Sequence, residues 1–490
     1  MGTTAIIITV AAYFAAMLIV SSFTGKGNDN GGFFNGNRKS SWWLVTLAMI
    51  SSCMSGVTYV SVPGMVGASA FGYMQMCLGF IVGYFIIAYI LIPLYYKLDV
   101  VSIYQYLERR FGISSYKTGA WFFFISKMLG AAVRLYLVCL TLQLIVFEPL
   151  NISFALNVAI SMLIVLAYTF RGGVKSVIGN DILKTFSMIA SVVLCIIFIA
   201  KGLGLNAKEL YERVSGSSMS RIFFFDDVKS PIYFWKQFIS GIFIVVAMTG
   251  LDQDMMQRTL SCKDYKASQK NLIAGTFLQT IVIFMFLVLG TLLHIFAELN
   301  GIVQNGDKLF PAVATGGLLP PIVGICFIVG LVSCAYSAGG SALTSLTTSF
   351  TIDIIGTDNK TDDGIARIRK GVHIAMATVM GAVILIFNSL NSTSAIDAVY
   401  RLASYTYGPL LGMFAFGILS KRKVRDRYVP FAAITAPAVC LILQLNSDKW
   451  FGGYSFGYEI LIMNAFLTFA GMLILSVPTA RTRSKFGEIG

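Results

Sequence analysis

The sequence predicts an all-α, polytopic membrane protein with about thirteen transmembrane helices, taking about 20 apolar residues for each crossing. Composition is the first observation: 56% of the 490 residues are hydrophobic, 12% are charged, and the mean hydropathy is +0.76. Soluble domains contain about half apolar and a quarter charged residues. Long apolar runs also recur along the whole chain, and the polar gaps between them are too short for a soluble domain with its own core.

The candidate spans, taken in order, are apolar runs of membrane-crossing length. The first, at about 5–20, has no basic residue before it and no small-residue cleavage site, so we expect a permanent span and not a signal peptide. The run at 120–146 is long enough to tilt, and aromatic groups at 223–225 and 233–235 are typical of a membrane interface. The longest gap, 201–233, has room for a short amphipathic helix. The predicted centres lie near residues 13, 55, 84, 132, 162, 190, 243, 285, 335, 380, 406, 437 and 467.

Basic residues indicate the orientation in the plasma membrane. Of the 37 Lys and Arg residues, twenty-five fall in the loops of one side, among them Arg258 and the cluster at 421–427, and eight in the loops of the other. Cytoplasmic loops carry the excess of positive charge, so we expect the amino terminus outside and the carboxyl terminus inside. Because the charge is scattered over short loops, the net charge of +14 does not indicate a nucleic-acid partner.

Four basic residues fall within predicted spans: Lys127, Arg134, Lys184 and Arg401. An ionised side chain near the bilayer centre costs about 2.5 to 3.5 kcal/mol on insertion scales, so such residues usually face a cavity or a partner. Lys127 and Arg134 lie two helical turns apart and point to the same side of the fourth span. Two interpretations remain open for Lys127, Arg134 and Arg401. Each pairs with a carbonyl or reaches an interface, or they line a cavity for an anionic solute.

Polar residues in two other spans also have two interpretations each. Asp181 opens the sixth span, where it would cap a helix amino terminus or coordinate a hard cation. Ser337 and Ser341 lie on one helical face, and the adjacent Gly339 and Gly340 are typical of close helix packing. A hydroxyl lining for an ion path is the alternative.

The stretch SSCMSGVTYVSVPG, residues 51–64, interrupts the second span with five Ser or Thr residues, two glycines and a proline. Irregular backbone at membrane depth is tolerated only where it is buried in protein or lines a cavity. The carbonyls that such a break releases suit an alkali cation. Broken spans, many crossings and the absence of a soluble catalytic domain together predict a secondary transporter.

Six stretches occur in an order that resembles a known family: SSCMSGVTYVSVPG, SIYQYLERRFG, YTFRGGVKSVIGNDILKTF, DQDMMQRTLSCKDYKASQKNLI, SAGGSALTSLTTSFTIDI and YGPLLGMFAFGILSKR. The chain resembles the sodium:solute symporter family, which includes sodium/glucose, sodium/proline, sodium/iodide, sodium/monocarboxylate and bacterial sodium/sialic acid symporters. The resemblance implies one transporter domain with the leucine-transporter architecture. Its parts are an extra first helix at about 3–23, inverted five-helix repeats at about 42–201 and 234–418, and two last helices at about 428–478.

The resemblance implies sodium ligands on the second, sixth and ninth spans: Ser51, Met54, Asp181, Cys334, Ser337, Ala338 and Ser341. The common site would use the carbonyls of the break and the Ser337 hydroxyl. Ala338 stands where the family often has a second hydroxyl, so its backbone or a water would serve instead. Some members have a second site, which here would draw on Asp181, Ser337 and Ser341.

The implied solute contacts are Ser55, Thr58, Tyr73, Gln75, Arg134 and Arg401. Arg401 stands where sugar-transporting members have a glutamine, and a guanidinium fork suits a carboxylate. Sialic acid members place an arginine at the position of Gly130, and here Arg134 follows one turn later. We therefore expect a sodium-coupled symporter that imports a small organic anion, a carboxylate or an acidic sugar such as sialic acid, by alternating access. Sodium is the coupling ion, and we expect no other cofactor and no obligatory protein partner.

Three alternatives remain at this point. A sodium- or proton-coupled symporter for a neutral solute is the main one, because Asp181 could accept a proton and Ala338 lacks a hydroxyl. A membrane enzyme would need clustered acid, base or metal-binding groups, but His294 and His373 lie in different spans and the eight cysteines stand singly. A sensor would need a signalling domain, and 481–490 is too short for one.

Overall fold

The computed structural model describes residues 3–24, 41–98, 102–170, 174–356, 361–390, 395–454 and 456–477, which are helical almost throughout. The prediction of an all-α protein is confirmed. The helices and the two short strands are α1 (Thr3–Thr24), α2 (Trp42–Cys53), α3 (Gly56–Ser69), α4 (Tyr73–Ile86), α5 (Ile92–Leu98), α6 (Gln105–Arg110), α7 (Ile113–Leu142), α8 (Phe154–Thr169), α9 (Val174–Gly202), α10 (Ala207–Ser215), α11 (Phe234–Val245), α12 (Gln253–Thr259), α13 (Tyr265–Leu299), α14 (Leu309–Thr315), α15 (Pro321–Ser349), α16 (Asp362–Leu390), α17 (Ala395–Leu419), β1 (Lys423–Val424), α18 (Val429–Leu445), α19 (Ser447–Trp450), α20 (Ile460–Ile474) and β2 (Ser476–Val477).

Eight helical stretches of the described chain are long and apolar enough to cross a membrane, or nine if α11 and α12 form one bent span. Four shorter apolar helices accompany them: Ile7–Ala16, Trp42–Cys53, Phe154–Thr169 and Ile460–Ile474. Every predicted centre falls in one of these helices except residue 55, which lies at a helix break. The short helix α10 occupies the longest polar gap, as predicted.

The predicted interruption of the second span lies between α2 and α3. Met54 (φ −99°, ψ 113°) and Ser55 (φ −109°, ψ 178°) have extended backbone. The amide of Ser55 donates to Oγ1 of Thr58, 3.4 Å away. A short polar side chain that bonds to a nearby backbone group competes with the helix in this way. The chain resumes the helix at Gly56.

A second break, which the sequence did not predict, separates α11 from α12. The helical stretch Phe234–Gly250, which begins with α11, makes an angle of 73° with α12. Asp252 has extended backbone (φ −98°, ψ 119°), and its Oδ1 accepts a hydrogen bond from the Met255 amide at 3.1 Å, which caps α12. The bend carries α12 into the protein interior.

The two breaks lie at the centre of the bundle. Helix α2 packs against α9 and α13, α3 packs against α13 and α15, and α9 packs along α15. Helices α4 and α11 approach closely because Gly79 and Gly241 each face the backbone of the opposite helix. A Cβ on Gly79 would meet the Phe238 carbonyl, and a Cβ on Gly241 would meet the Met76 carbonyl. The breaks, α9 and α15 therefore share one polar interior.

Two contacts hold the segment that follows α17 against neighbouring elements. Strands β1 and β2 pair antiparallel, with Lys423 opposite Val477. The carboxylate of Asp426 caps α7 by accepting from the amides of Ser114 (2.8 Å) and Ser115 (2.9 Å).

Several basic residues of the predicted inner loops lie outside the described residues: Lys26, Arg38, Lys39, Arg171, Lys360, Arg481, Arg483 and Lys485.

Candidate functional site

Six charged side chains meet where the two breaks contact α7 and α9. Each is less than a tenth exposed, and we refer to them as the central charge cluster: Lys127, Asp181, Lys184, Asp252, Asp254 and Arg258. Three carboxylates face three cations, so the cluster has no formal net charge. Charges buried in a protein are tolerated when they are paired or hydrogen-bonded. Lys127 and Arg258 pair with the three carboxylates, and Lys184 donates to the Ser51 carbonyl.

Arg258 of α12 is the hub of the cluster. Its Nη1 lies 2.5 Å from Oδ2 of Asp181, and its Nη2 lies 3.3 Å from Oδ1 of Asp254. The guanidinium also donates to the hydroxyls of Ser52 and Ser341. The prediction that Arg258 lies in an inner loop is wrong, because the unpredicted bend before α12 buries its side chain.

Lys127 of α7 holds the acidic start of α12. Its Nζ lies 3.1 Å from both carboxylate oxygens of Asp252 and 3.1 Å from Oδ2 of Asp254. The hydroxyl of Tyr407 donates to Asp252 Oδ2 at 2.8 Å. Lys127 therefore pairs with carboxylates, and the interpretation that it reaches a carbonyl or an interface is wrong.

The structure brings four of the expected sodium residues together. The Ser51 hydroxyl donates to Asp181 Oδ1 at 3.2 Å, and the Ser341 hydroxyl donates to Asp254 Oδ2 at 2.8 Å. Asp181, Ala338 and Ser341 line one small cavity with Lys184. Asp181 lies two turns inside α9, so the interpretation that it caps a helix amino terminus is wrong.

The remaining expected sodium residues are partly described. Met54 and Cys334 are completely buried, Met54 at the break and Cys334 on α15. The side chain of Ser337 lies outside the described residues, although its backbone belongs to α15. The packing interpretation of the Ser337 and Ser341 face holds in part, because Gly340 fits against the Tyr168 ring of α8.

A cavity of about 620 Å³, open solvent at its mouth included, lies beside the first break. We refer to it as the main cavity. Its polar lining consists of Ser52, Cys53, Ser55, Thr58, Tyr84, Arg134, Thr249, Gln279 and Tyr400. Phe80, Ile244 and Met248 supply apolar surface. A cavity with an apolar wall and a few convergent polar groups is typical of a small-molecule site.

Arg134 is the cationic group of this cavity. Among the residues that the structure describes, no carboxylate lies within ion-pair distance of its guanidinium. It also borders an adjoining cavity that Gly130 lines, as their spacing of one helical turn predicts. Arg134 therefore adds a positive charge next to the central charge cluster, whose own charges sum to zero.

The other three expected solute residues do not line the main cavity. The Tyr73 hydroxyl lies 2.6 Å from that of Tyr400, which does line it. Gln75 is completely buried and joins outer segments: its Nε2 donates to the Ile232 carbonyl at 3.0 Å, and its Oε1 accepts from the Phe224 amide at 3.0 Å. The side chain of Arg401 is 53% exposed and lies 2.6 Å from Asp397.

Half of the central charge cluster was not predicted from the sequence. Asp252, Asp254 and Arg258 all belong to the quoted stretch DQDMMQR. An acidic and a basic residue four positions apart form a pair on one helical face, and Asp254 with Arg258 has this spacing. An aspartate before a short helix is also an N-cap signal. These signals were present but were assigned to a loop.

The profile of the sodium:solute symporter family matches residues 33–426, which is most of the chain. The chain belongs to the sodium:solute symporter family. It is 25% identical over 473 residues to the sodium/sialic acid symporter SiaT of Proteus mirabilis (strain HI4320), with 90% of each chain covered. It is 26% identical over 471 residues to sodium-coupled monocarboxylate transporter 1 of Homo sapiens, with 90% of this chain and 72% of that protein covered.

The fold agrees with this family. A Na⁺-coupled sialic acid symporter in its substrate-bound outward-open state superposes with a TM-score of 0.79 at 20% identity, covering 96% of this chain and 97% of the other. The predicted leucine-transporter-like fold is confirmed. As a sodium:solute symporter the chain is a secondary transporter with Na⁺ as its coupling ion, and it is not an enzyme.

Proposed function

We propose that this sodium:solute symporter imports a small organic anion, a carboxylate or an acidic sugar of the sialic acid type. The observation that carries the proposal is Arg134, a guanidinium without an acidic partner among the described residues, on the wall of the main cavity. The neighbouring charges of the central cluster balance one another. A carboxylate that enters the cavity therefore neutralises Arg134 and gains two parallel hydrogen bonds from the guanidinium fork.

The rest of the cavity fits the remainder of such a solute. Ser55 and Thr58 offer hydroxyls from the broken span, and Gln279 offers an amide from α13. Phe80 and Met248 provide an apolar wall. The named relatives support the same class of solute, because a sialic acid and a monocarboxylate both carry a carboxylate.

Sodium couples to this cavity through the break. The proposed ligands of the common site are the carbonyls of Ser51, Met54 and Cys334 with Ser337, and the backbone of Ala338 in place of a hydroxyl. Asp181 and Ser341 belong to the proposed second site. An ion that binds the outward-facing state better than the inward-facing state shifts the equilibrium towards the outward state, and only this difference couples the two fluxes.

The proposed layout is two inverted repeats, at about 42–201 and 234–418, preceded by α1 and followed by α18 and α20. Each repeat would then begin with a broken helix, α2 with α3 in the first and α11 with α12 in the second. The amino terminus would lie outside and the carboxyl terminus inside, since short loops on the cytoplasmic side of a membrane are enriched in Lys and Arg.

Uptake of matched solute pairs tests this proposal. Purified protein in liposomes with an inward sodium gradient is offered N-acetylneuraminate against N-acetylmannosamine, and lactate against lactamide. We expect uptake of at least one anion, its dependence on sodium relative to choline, and little uptake of the neutral partner. Equal uptake of an anion and its neutral partner would contradict the anionic solute and favour the neutral-solute alternative.

A further inference from the structure

The break frees the Ser51 carbonyl from its helical partner. In a continuous helix the Ser51 carbonyl accepts the amide of residue 55. Here the Ser55 amide donates to Thr58 Oγ1 at 3.4 Å. The Ser51 carbonyl accepts a hydrogen bond from Nζ of Lys184 instead. A cation on α9 therefore occupies an oxygen at which the proposed function puts sodium.

Lys184 is held at this place by the packing of α9 on α2. Its side chain is completely buried. The next residue, Thr185, donates to the Leu47 carbonyl of α2 at 3.1 Å. Asp181, one turn earlier on α9, keeps its own oxygens on the Ser51 hydroxyl and on Arg258. The Lys184 ammonium thus donates a hydrogen bond to the carbonyl of Ser51 on α2.

The opposite wall of the same small cavity belongs to α15. Lys184 lines it together with Ala338 and Ser341. A hydroxyl at position 338 would supply a further oxygen for a free ion, and alanine does not. A sodium ion needs a full shell of oxygen ligands, whereas an ammonium on a side chain needs only a few hydrogen-bond acceptors. A site with fewer oxygens therefore suits the ammonium better than it suits sodium.

We propose that the Lys184 ammonium is a tethered competitor of the coupling sodium ion at the Ser51 carbonyl, and that it sets the apparent affinity for sodium. The inference rests on the proposed function, because it takes Ser51 as a sodium ligand. Two positive charges a few ångströms apart in a low-dielectric interior repel strongly, so sodium binds there only when Lys184 moves away. When sodium leaves on the inner side, Lys184 returns, and the ion-free carrier keeps a cation between α2 and α15 during its return step.

A sodium titration without solute tests this competition. The half-saturating sodium concentration is measured from the thermal midpoint of the purified protein, with choline replacing sodium at constant ionic strength, and from binding of radioactive sodium. We expect Lys184→Gln to lower that concentration by about tenfold or more, since removal of the tethered charge removes the competitor. Lys184→Met gives the same test without a polar group, should the glutamine variant be recovered poorly.

Two control variants isolate the charge at position 184. Lys184→Arg keeps a cation and is expected to bind sodium as weakly as the unaltered protein. Lys201→Gln removes a charge from the exposed end of the same helix and is expected to change nothing. Unchanged or weaker sodium binding in both Lys184→Gln and Lys184→Met overturns the inference, and so does a gain in Lys184→Arg as large as theirs. Because no solute is present, a failure of the anion proposal in the uptake assay does not affect this result.

Discussion

The Nη1 atom of Arg258 lies 2.5 Å from Oδ2 of Asp181, and both side chains are almost completely buried. The pair joins α12, the distal half of the second broken helix, to α9. The same guanidinium reaches Ser52 of α2 and Ser341 of α15. One arginine thus connects both broken helices to the two helices that contact them, at the centre of a protein that works by changing how such helices pack.

Loss of this ion pair is expected to destabilise the protein. Asp181→Asn leaves Arg258 buried with one carboxylate fewer, and breaking a buried pair from one side costs about 3 kcal/mol or more. We expect a clearly lower thermal midpoint in sodium-free detergent solution. Asp397→Asn is the matched control, because it breaks the Arg401 pair, whose arginine is 53% exposed. An exposed pair contributes about 0–1 kcal/mol, so an equal fall for both variants would contradict the argument.

Substitution of the two arginines should have unequal effects on solute binding. Arg134→Gln removes the cation of the main cavity and is expected to weaken binding of the transported anion about tenfold to a hundredfold, since a hydrogen bond to a charged group contributes about 1.5–3 kcal/mol. Arg401→Gln is expected to leave the dissociation constant nearly unchanged, because Arg401 lies on Asp397 and outside the cavity wall. Isothermal titration with the anion found in the uptake screen measures both. A larger loss in Arg401→Gln would reverse the assignment.

Cys53 should report the electrostatics of the cavity. It is the one cysteine of the eight that is not buried, and it lines the main cavity beside Arg134. We expect an anionic methanethiosulfonate to label one thiol per chain, faster than a cationic reagent of the same size. Arg134→Gln should remove that difference, and bound solute should slow both reactions. Labelling that persists in Cys53→Ser would show that another thiol is reached.

The close packing of α4 and α11 should tolerate no added methyl group. In Gly241→Ala the new Cβ meets the Met76 carbonyl. Overpacking of this kind costs about 1–3 kcal/mol, so we expect a lower thermal midpoint and reduced transport. Gly130→Ala is the matched control in α7, where a Cβ meets no atom within 4 Å. That variant should be neutral or more stable by up to about 1 kcal/mol, because alanine favours the helix. A loss in Gly130→Ala as large as that in Gly241→Ala would contradict the packing explanation.

The two helix breaks differ in how far the sequence predicted them. The first was predicted because Ser55 and Thr58 lie within an apolar run, where small polar residues compete locally for backbone hydrogen bonds. The second follows Gly250 at the start of the polar stretch DQDMMQR, whose Asp252 is an N-cap signal, but this stretch was assigned to a loop. Its 73° bend depends on the burial of Asp252 and Asp254 against Lys127, a residue more than a hundred positions away. Local pattern contains no information on that contact.

The sequence by itself determined the membrane class, the positions of the spans, the first break and the family resemblance, because hydropathy, turn residues and ordered motifs are local properties. Only the tertiary structure decided which charges meet. It placed Arg258 in the interior, left Arg134 in the cavity and Arg401 on Asp397, and put Lys184 on the carbonyl of Ser51. The physical reason is that the pairing of a charge depends on the relative positions of distant helices. Those positions follow from packing, which no stretch of sequence specifies alone.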